Sequence, residues 1–145
     1  MNDLITKELI VLDLEVDSKE EAINELAKVI EMQGRLINFD GFIKQVFKRE
    51  EEFPTAIGFD VAIPHGKCDS VKNSSLAFAR LKNGIQWSEE EKVRYVFLIA
   101  VPEAEAGNTH LQILAQISRK LMREEFREEL NNATEINEFL ELLSM

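Results

Sequence analysis

The stretch Val93-Arg94-Tyr95-Val96-Phe97-Leu98-Ile99-Ala100-Val101 decides the fold class. It is apolar almost throughout, is stopped by Pro102, and has the length of a strand rather than a helix. A strand apolar on both alternating faces predicts a central strand covered on both sides. Its core, Tyr95 to Val101, is also the longest apolar run of the chain. That is far short of the roughly 18 residues a bilayer-spanning helix needs.

Working outward, Ser75 to Leu81 reads as a neighbouring strand. Asn83-Gly84 predicts a tight hairpin, with Ile85-Gln86-Trp87 as its return strand. Thr55 to Ile63 reads as two short strands around Gly58-Phe59-Asp60, and Leu9 to Val16 opens with a β-like run. Between these lie helix signals. Asp17 or Ser18 caps a helix, Ser18 and Glu21 having capping-box spacing; Ala22, Ile23, Leu26, Ala27 and Ile30 form its apolar stripe, and Gly34 ends it. A second helix follows Asn38, buries Phe39, Phe42, Ile43, Val46 and Phe47, and is ended near Glu52 by Pro54. Towards the C-terminus, Asn108 or Thr109 caps a helix carrying Leu111, Leu114, Ile117 and Leu121. A short helical piece surrounds Phe126, and a last helix from Thr134 buries Ile136, Phe139, Leu140 and Leu143. The order predicts an α/β protein of the α+β type. We expect a single domain over residues 1–145, with a mixed parallel and antiparallel sheet of about five strands flanked by helices.

Composition narrows the function. A net charge of −10, from 27 acidic against 17 basic side chains, disfavours nucleic acid, whose phosphates demand clustered Lys and Arg. The acidic surface either keeps the domain soluble or steers a basic protein partner. The single cysteine, Cys68, forms no internal disulfide and agrees with a reducing compartment. Met1-Asn2-Asp3-Leu4 lacks the basic-then-apolar layout of a signal peptide, so a cytoplasmic location is expected.

Few residues suit chemistry. His65 lies in Val61-Ala62-Ile63-Pro64-His65-Gly66, after a predicted strand. Pro64 interrupts ladder pairing and Gly66 permits close approach of a ligand, so the imidazole is expected at a rigid strand end facing a cleft. The competing reading is a surface histidine that happens to end a strand. His110 falls in the first turn after the Asn108/Thr109 cap, where free N–H groups and the helix dipole attract anions and favour a neutral imidazole. It can equally be a helix-start histidine with a local hydrogen bond. Arg49, one turn before Pro54, can clamp phosphate through two N–H groups or simply complement the helix C-terminus and the run Glu50-Glu51-Glu52. Cys68 has no assured contact with His65, and two histidines with one cysteine make no short paired zinc motif. A Gly-rich phosphate loop followed by lysine is missing, which speaks against a nucleotide-dependent kinase.

Taken together, Arg49-Glu50, Pro54-Thr55-Ala56-Ile57-Gly58 and Val61 to Gly66 resemble the active-site segment of enzyme IIA domains. These belong to the bacterial phosphoenolpyruvate-dependent sugar phosphotransferase system, fructose/mannitol class. Asn108-Thr109-His110-Leu111-Gln112-Ile113-Leu114 resembles that family's second signature. The resemblance implies a phosphotransferase working through a phosphohistidine: His65 takes the phosphoryl group on Nε2, His110 stabilises it and Arg49 offsets its charge. It further implies phospho-HPr as donor, a cysteine of a cognate EIIB domain as acceptor, and membrane association only indirectly, through EIIB and EIIC. Neither metal nor cofactor is called for. Nitrogen-type IIA paralogues, which act as phosphorylation-dependent switches, share the signature and stand as the alternative. Ala56 departs from the family's Thr-Gly-Ile-Gly turn, which bears on fine loop geometry. Phe59, beside the Gly58 turn, is expected as an apolar contact for a protein partner.

Overall fold

The computed structural model describes residues 4–105 and 109–144. After a 3₁₀ turn at Lys7–Leu9 come strand β1 (Ile10–Leu14) and helices α1 (Lys19–Met32) and α2 (Phe39–Glu52). Then follow β2 (Ala56–Gly58), β3 (Val61–Ala62), β4 (His65–Cys68), β5 (Ser75–Gln86) and β6 (Lys92–Pro102). Helices α3 (Thr109–Leu121), α4 (Glu124–Asn132) and α5 (Ile136–Leu143) complete the described chain. The six strands form one mixed sheet of order β1-β5-β6-β3-β2, with β4 also paired to β6.

β6 is the centre of this sheet, as its unbroken apolar stretch predicts; Val96 to Val101 are all fully buried. It runs antiparallel to β5 and parallel to β3 and β4. Side chains alternate across a strand. On β5 this sends Phe78 towards Phe139 of α5, ring centroids 5.5 Å apart. Arg80, on the same face, donates to the carbonyls of Leu130 and Ala133 at the end of α4. Ala77 and Ala79 then face the other way, where α1 packs on β5. Helices thus cover both faces. Phe42, Phe78, Phe97 and Phe139 are fully buried. Each contributes about 1.5–3 kcal/mol by leaving water.

The caps follow the sequence closely. The Ser18 hydroxyl accepts from the Glu21 N–H, and the Asn38 side chain from the Gly41 N–H. Gly34, at φ +71°, takes the left-handed conformation that ends α1. Among the described residues no helix is long and apolar enough to cross a membrane.

Four expectations change. Asn83-Gly84 is not a hairpin turn but lies inside β5, where register with β6 slips between Arg80 and Ile85. The chain reverses at Trp87 to Glu91 instead, closed by the Trp87 N–H on the Glu91 carbonyl at 2.9 Å. Pairing Ile85 with Val93 continues the long β5–β6 ladder, and this outweighs the local turn preference of Asn-Gly. Second, the sheet has six strands rather than about five, because β4 is a strand of its own. Third, Ile136 and Leu111 stay 39% and 50% exposed, the buried stripe of α3 being Ile113, Ile117 and Leu121. Finally, Thr109 is the first residue of α3. The other expected cap, Asn108, lies outside the described residues.

Candidate functional site

His65 begins β4 rather than following a strand end. β3 and β4 run one after the other along the same edge of β6, at Tyr95–Val96 and then Ile99–Pro102. Between them Ile63-Pro64 breaks the ladder, because proline has no N–H to give. The Pro64 carbonyl still accepts from the Ile99 N–H at 3.0 Å, so the break is anchored. Gly66 explains why α2 can lie against this strand. A Cβ there would come within 3.1 Å of Phe42 Cε1 and Val46 Cγ2, both on the buried face of α2.

The imidazole is half-buried, and its Nδ1 lies 3.0 Å from the Ile63 carbonyl oxygen. A carbonyl only accepts, so Nδ1 carries the proton and Nε2 keeps its lone pair. Burial pushes His65 below its ordinary value of 6.5. The Ile63 carbonyl works against that shift, the charges of Arg49 and His110 reinforce it, and the Glu50 carboxylate weakly opposes it. The ring is therefore held neutral with a free nitrogen, the form in which imidazole is a nucleophile.

His110, in the first turn of α3, places its ring centroid 6.1 Å from that of His65, tilted by 33°. Burial lowers its pKa as well, helped by the charge of Lys67. Its Nδ1 is buried without a hydrogen-bond partner among the described residues. Arg49 stands in the last turn of α2 and donates from Nη1 to the Phe53 carbonyl at 2.7 Å. The three residues singled out by the sequence line one cleft of about 280 Å³, together with Gln45, Lys48, Glu52, Gly66 and Lys67.

Two cations of that lining, Lys48 and Lys67, escape sequence reading, since single lysines on an amphipathic helix and a short strand carry no pattern. Their effect is collective. Among the described residues lining the cleft, three cations, Lys48, Arg49 and Lys67, stand beside one carboxylate, Glu52, a positive concavity in a chain of net charge −10. Such a concavity suits a small dianion. Cys68 is half-buried and outside this lining. Among the described residues no group of three or more His, Cys, Asp or Glu side chains converges to hold a metal ion.

Phe59 is placed elsewhere. Gly58, Phe59 and Asp60 have φ of +93°, +56° and +63°, forming the tight turn between β2 and β3. Ala56 pairs with Ala62 within that hairpin, at a position that demands no glycine. The Asp60 carbonyl accepts from Arg94 and Tyr95, four or five positions along β6 from the Ile99 that pairs with His65. At about 3.3 Å per residue this separates the turn from the cleft by roughly 13 Å or more. The Phe59 ring lies under the guanidinium of Arg127, 4.4 Å away, and takes no part in lining the cleft.

A neutral imidazole with a free nitrogen, a second imidazole opposite and three cations around them can receive a phosphate-sized anion. Comparison with known proteins places the chain in a family. Residues 3–145 match the family model described as "Phosphoenolpyruvate-dependent sugar phosphotransferase system, EIIA 2". The chain belongs to this family of phosphoryl carriers.

Among its relatives, the fructose-specific EIIA component of Haloferax volcanii is 39% identical over 87% of the chain and 82% of its own length. The 2-O-alpha-mannosyl-D-glycerate-specific EIIABC component of Escherichia coli is 34% identical over 99% of the chain. The chain spans only 22% of that larger relative. In structure it is similar to the nitrogen regulatory protein IIA-Ntr of Neisseria meningitidis, with TM-score 0.89, 28% identity and 98% and 97% of the two chains covered. It is also similar to the mannitol IIA of Escherichia coli in complex with phosphorylated IIB, with TM-score 0.82, 28% identity and coverage of 97% and 98%.

Proposed function

We propose that the domain accepts a phosphoryl group from phospho-HPr on His65 Nε2 and passes it to a cysteine of a cognate EIIB domain during sugar uptake. The Nδ1 contact with the Ile63 carbonyl carries this reading, because it fixes the tautomer with its nucleophilic nitrogen at Nε2. Transfer asks the protein mainly for alignment and charge stabilisation. The Nε2 lone pair forms the P–N bond as the donor's P–N bond breaks. Onward transfer to a thiolate reverses the step and restores the neutral ring. Arg49 offsets the phosphoryl charge, and His110 donates a hydrogen bond to it.

Support for an EIIB acceptor comes from relatives. One carries EIIA, EIIB and EIIC in a single protein, and another was solved in complex with phosphorylated IIB. A cytoplasmic carrier that meets the membrane only through EIIB and EIIC follows from this reading.

The similarity to IIA-Ntr supports a second reading, a phosphorylation-dependent regulatory switch. Mixing the phosphorylated domain with the purified cognate IIB separates the two. Loss of label from the domain with gain on a IIB cysteine establishes sugar-side transfer. Retention of label on the domain, with normal uptake from phospho-HPr, establishes the switch.

A further inference from the structure

Glu50 follows Arg49 on α2, yet the two side chains go to different places. Arg49 lines the cleft, while Glu50 is buried, with 4% of its surface exposed. A carboxylate withdrawn from water is stable only when its oxygens are satisfied. Glu50 Oε2 accepts from the Thr55 N–H at 2.8 Å and the Trp87 Nε1–H at 3.0 Å. Oε1 accepts from the Thr55 hydroxyl at 2.7 Å, and Lys19 Nζ of α1 lies 3.5 Å from Oε2. One side chain thus ties the last turn of α2 to the segment after it, to the turn beyond β5 and to α1.

The two bonds to Thr55 close a loop at the helix end. Inside that loop lies Phe53, whose carbonyl accepts from Arg49 Nη1. Pro54 stiffens the link between them by fixing φ. The place of the Phe53 carbonyl therefore depends on Thr55 being held, and Thr55 is held by Glu50. Arginine offers five N–H donors in one rigid plane. Anchoring one of them orients the others, and removes rotamer freedom that phosphate binding would otherwise have to overcome.

We propose that Glu50 is a positioning residue for phosphoryl transfer: through Thr55 and the Phe53 carbonyl it presets the Arg49 guanidinium at the cleft. This rests on the phosphoryl-carrier reading above. Glu50→Gln keeps the shape but turns one acceptor into a donor facing other donors, so the loop loses its hold.

Rapid-quench measurement of phosphoryl uptake from phospho-HPr, with wild type, Glu50→Gln, Arg49→Ala and the double variant, tests it. Glu50→Gln should slow uptake about tenfold, with KM for phospho-HPr changed less than about twofold, since orientation acts on the step rather than on docking. In the Arg49→Ala background the same substitution should change nothing further. Wild-type speed in Glu50→Gln, or an equal slowing in both backgrounds, overturns the proposal. If Glu50→Gln lacks the near-ultraviolet dichroism of the folded domain, Thr55→Val in the same cycle decides by the same criterion. Failure of the wild type itself to take up phosphate, read before any substitution, overturns the carrier reading and this proposal with it.

Discussion

His65 Nδ1 donates a hydrogen bond to the carbonyl oxygen of Ile63, 3.0 Å away on the far side of Pro64. The proline interruption does more than end a strand: it turns a backbone acceptor towards the ring two residues later. The tautomer, and with it the identity of the free nitrogen, is fixed by the chain itself.

The first consequence is a pH dependence. Burial, the largest cause, holds His65 below 6.5, so at neutral pH the ring is unprotonated. Acidification places a proton on Nε2 and removes the nucleophile, so uptake should fall as pH drops through the folded value of His65, which lies below 6.5. The stability linkage has the same direction. The unfolded chain binds protons first, so the contribution of His65 is present above 6.5 and lost as pH falls through the folded value. His110, also lowered, adds in the same sense. An NMR titration of the His65 Cε1–H resonance reads this directly. A midpoint below 6.5 is expected, and one at or above it contradicts the burial-dominated site.

Arg49 should matter by geometry as well as charge. Arg49→Ala is expected to slow uptake by roughly tenfold to a hundredfold, and Arg49→Lys to recover only part of this, because lysine offers no planar fork. Single-turnover rates check it. Full recovery with lysine would reduce the role of Arg49 to that of a point charge.

His110→Ala should slow transfer and leave the fold intact, because the ring lies in the first turn of α3 and only half-buried. Uptake kinetics beside a thermal melt separate the two effects. Transfer at the wild-type rate would remove the role proposed for this ring.

Gly66→Ala probes packing beside the site. The added methyl meets Phe42 and Val46, which are 0% and 1% exposed and cannot yield freely. Overpacking of this kind costs about 1–3 kcal/mol, seen as a lower urea midpoint. An unchanged midpoint would show that α2 can move away from β4 without loss.

Much of this fold was legible in the sequence because its signals are local and redundant. Asn38 and Pro54 bracket α2 to the residue, and the apolar run of β6 announces a central strand. Asn83-Gly84 misled for a physical reason: its turn preference is short-range, whereas the β5–β6 ladder that absorbs it is fixed by pairing across the whole sheet. His65, His110 and Arg49 stood out because few residue types can handle phosphate. Lys48, Lys67 and the Glu50 network did not, since their meaning lies in what the fold brings beside them. Trp87 and Glu50, 37 residues apart, share a hydrogen bond that no spacing rule foretells.

The proposed carrier of the phosphoryl group is His65. Intact-mass measurement after incubation with phosphoenolpyruvate, enzyme I and HPr tests it most directly. A gain of one phosphate, about 80 Da, that is lost in acid and never appears in His65→Ala is the predicted result. No gain in the wild type, or an undiminished gain in His65→Ala, would contradict it.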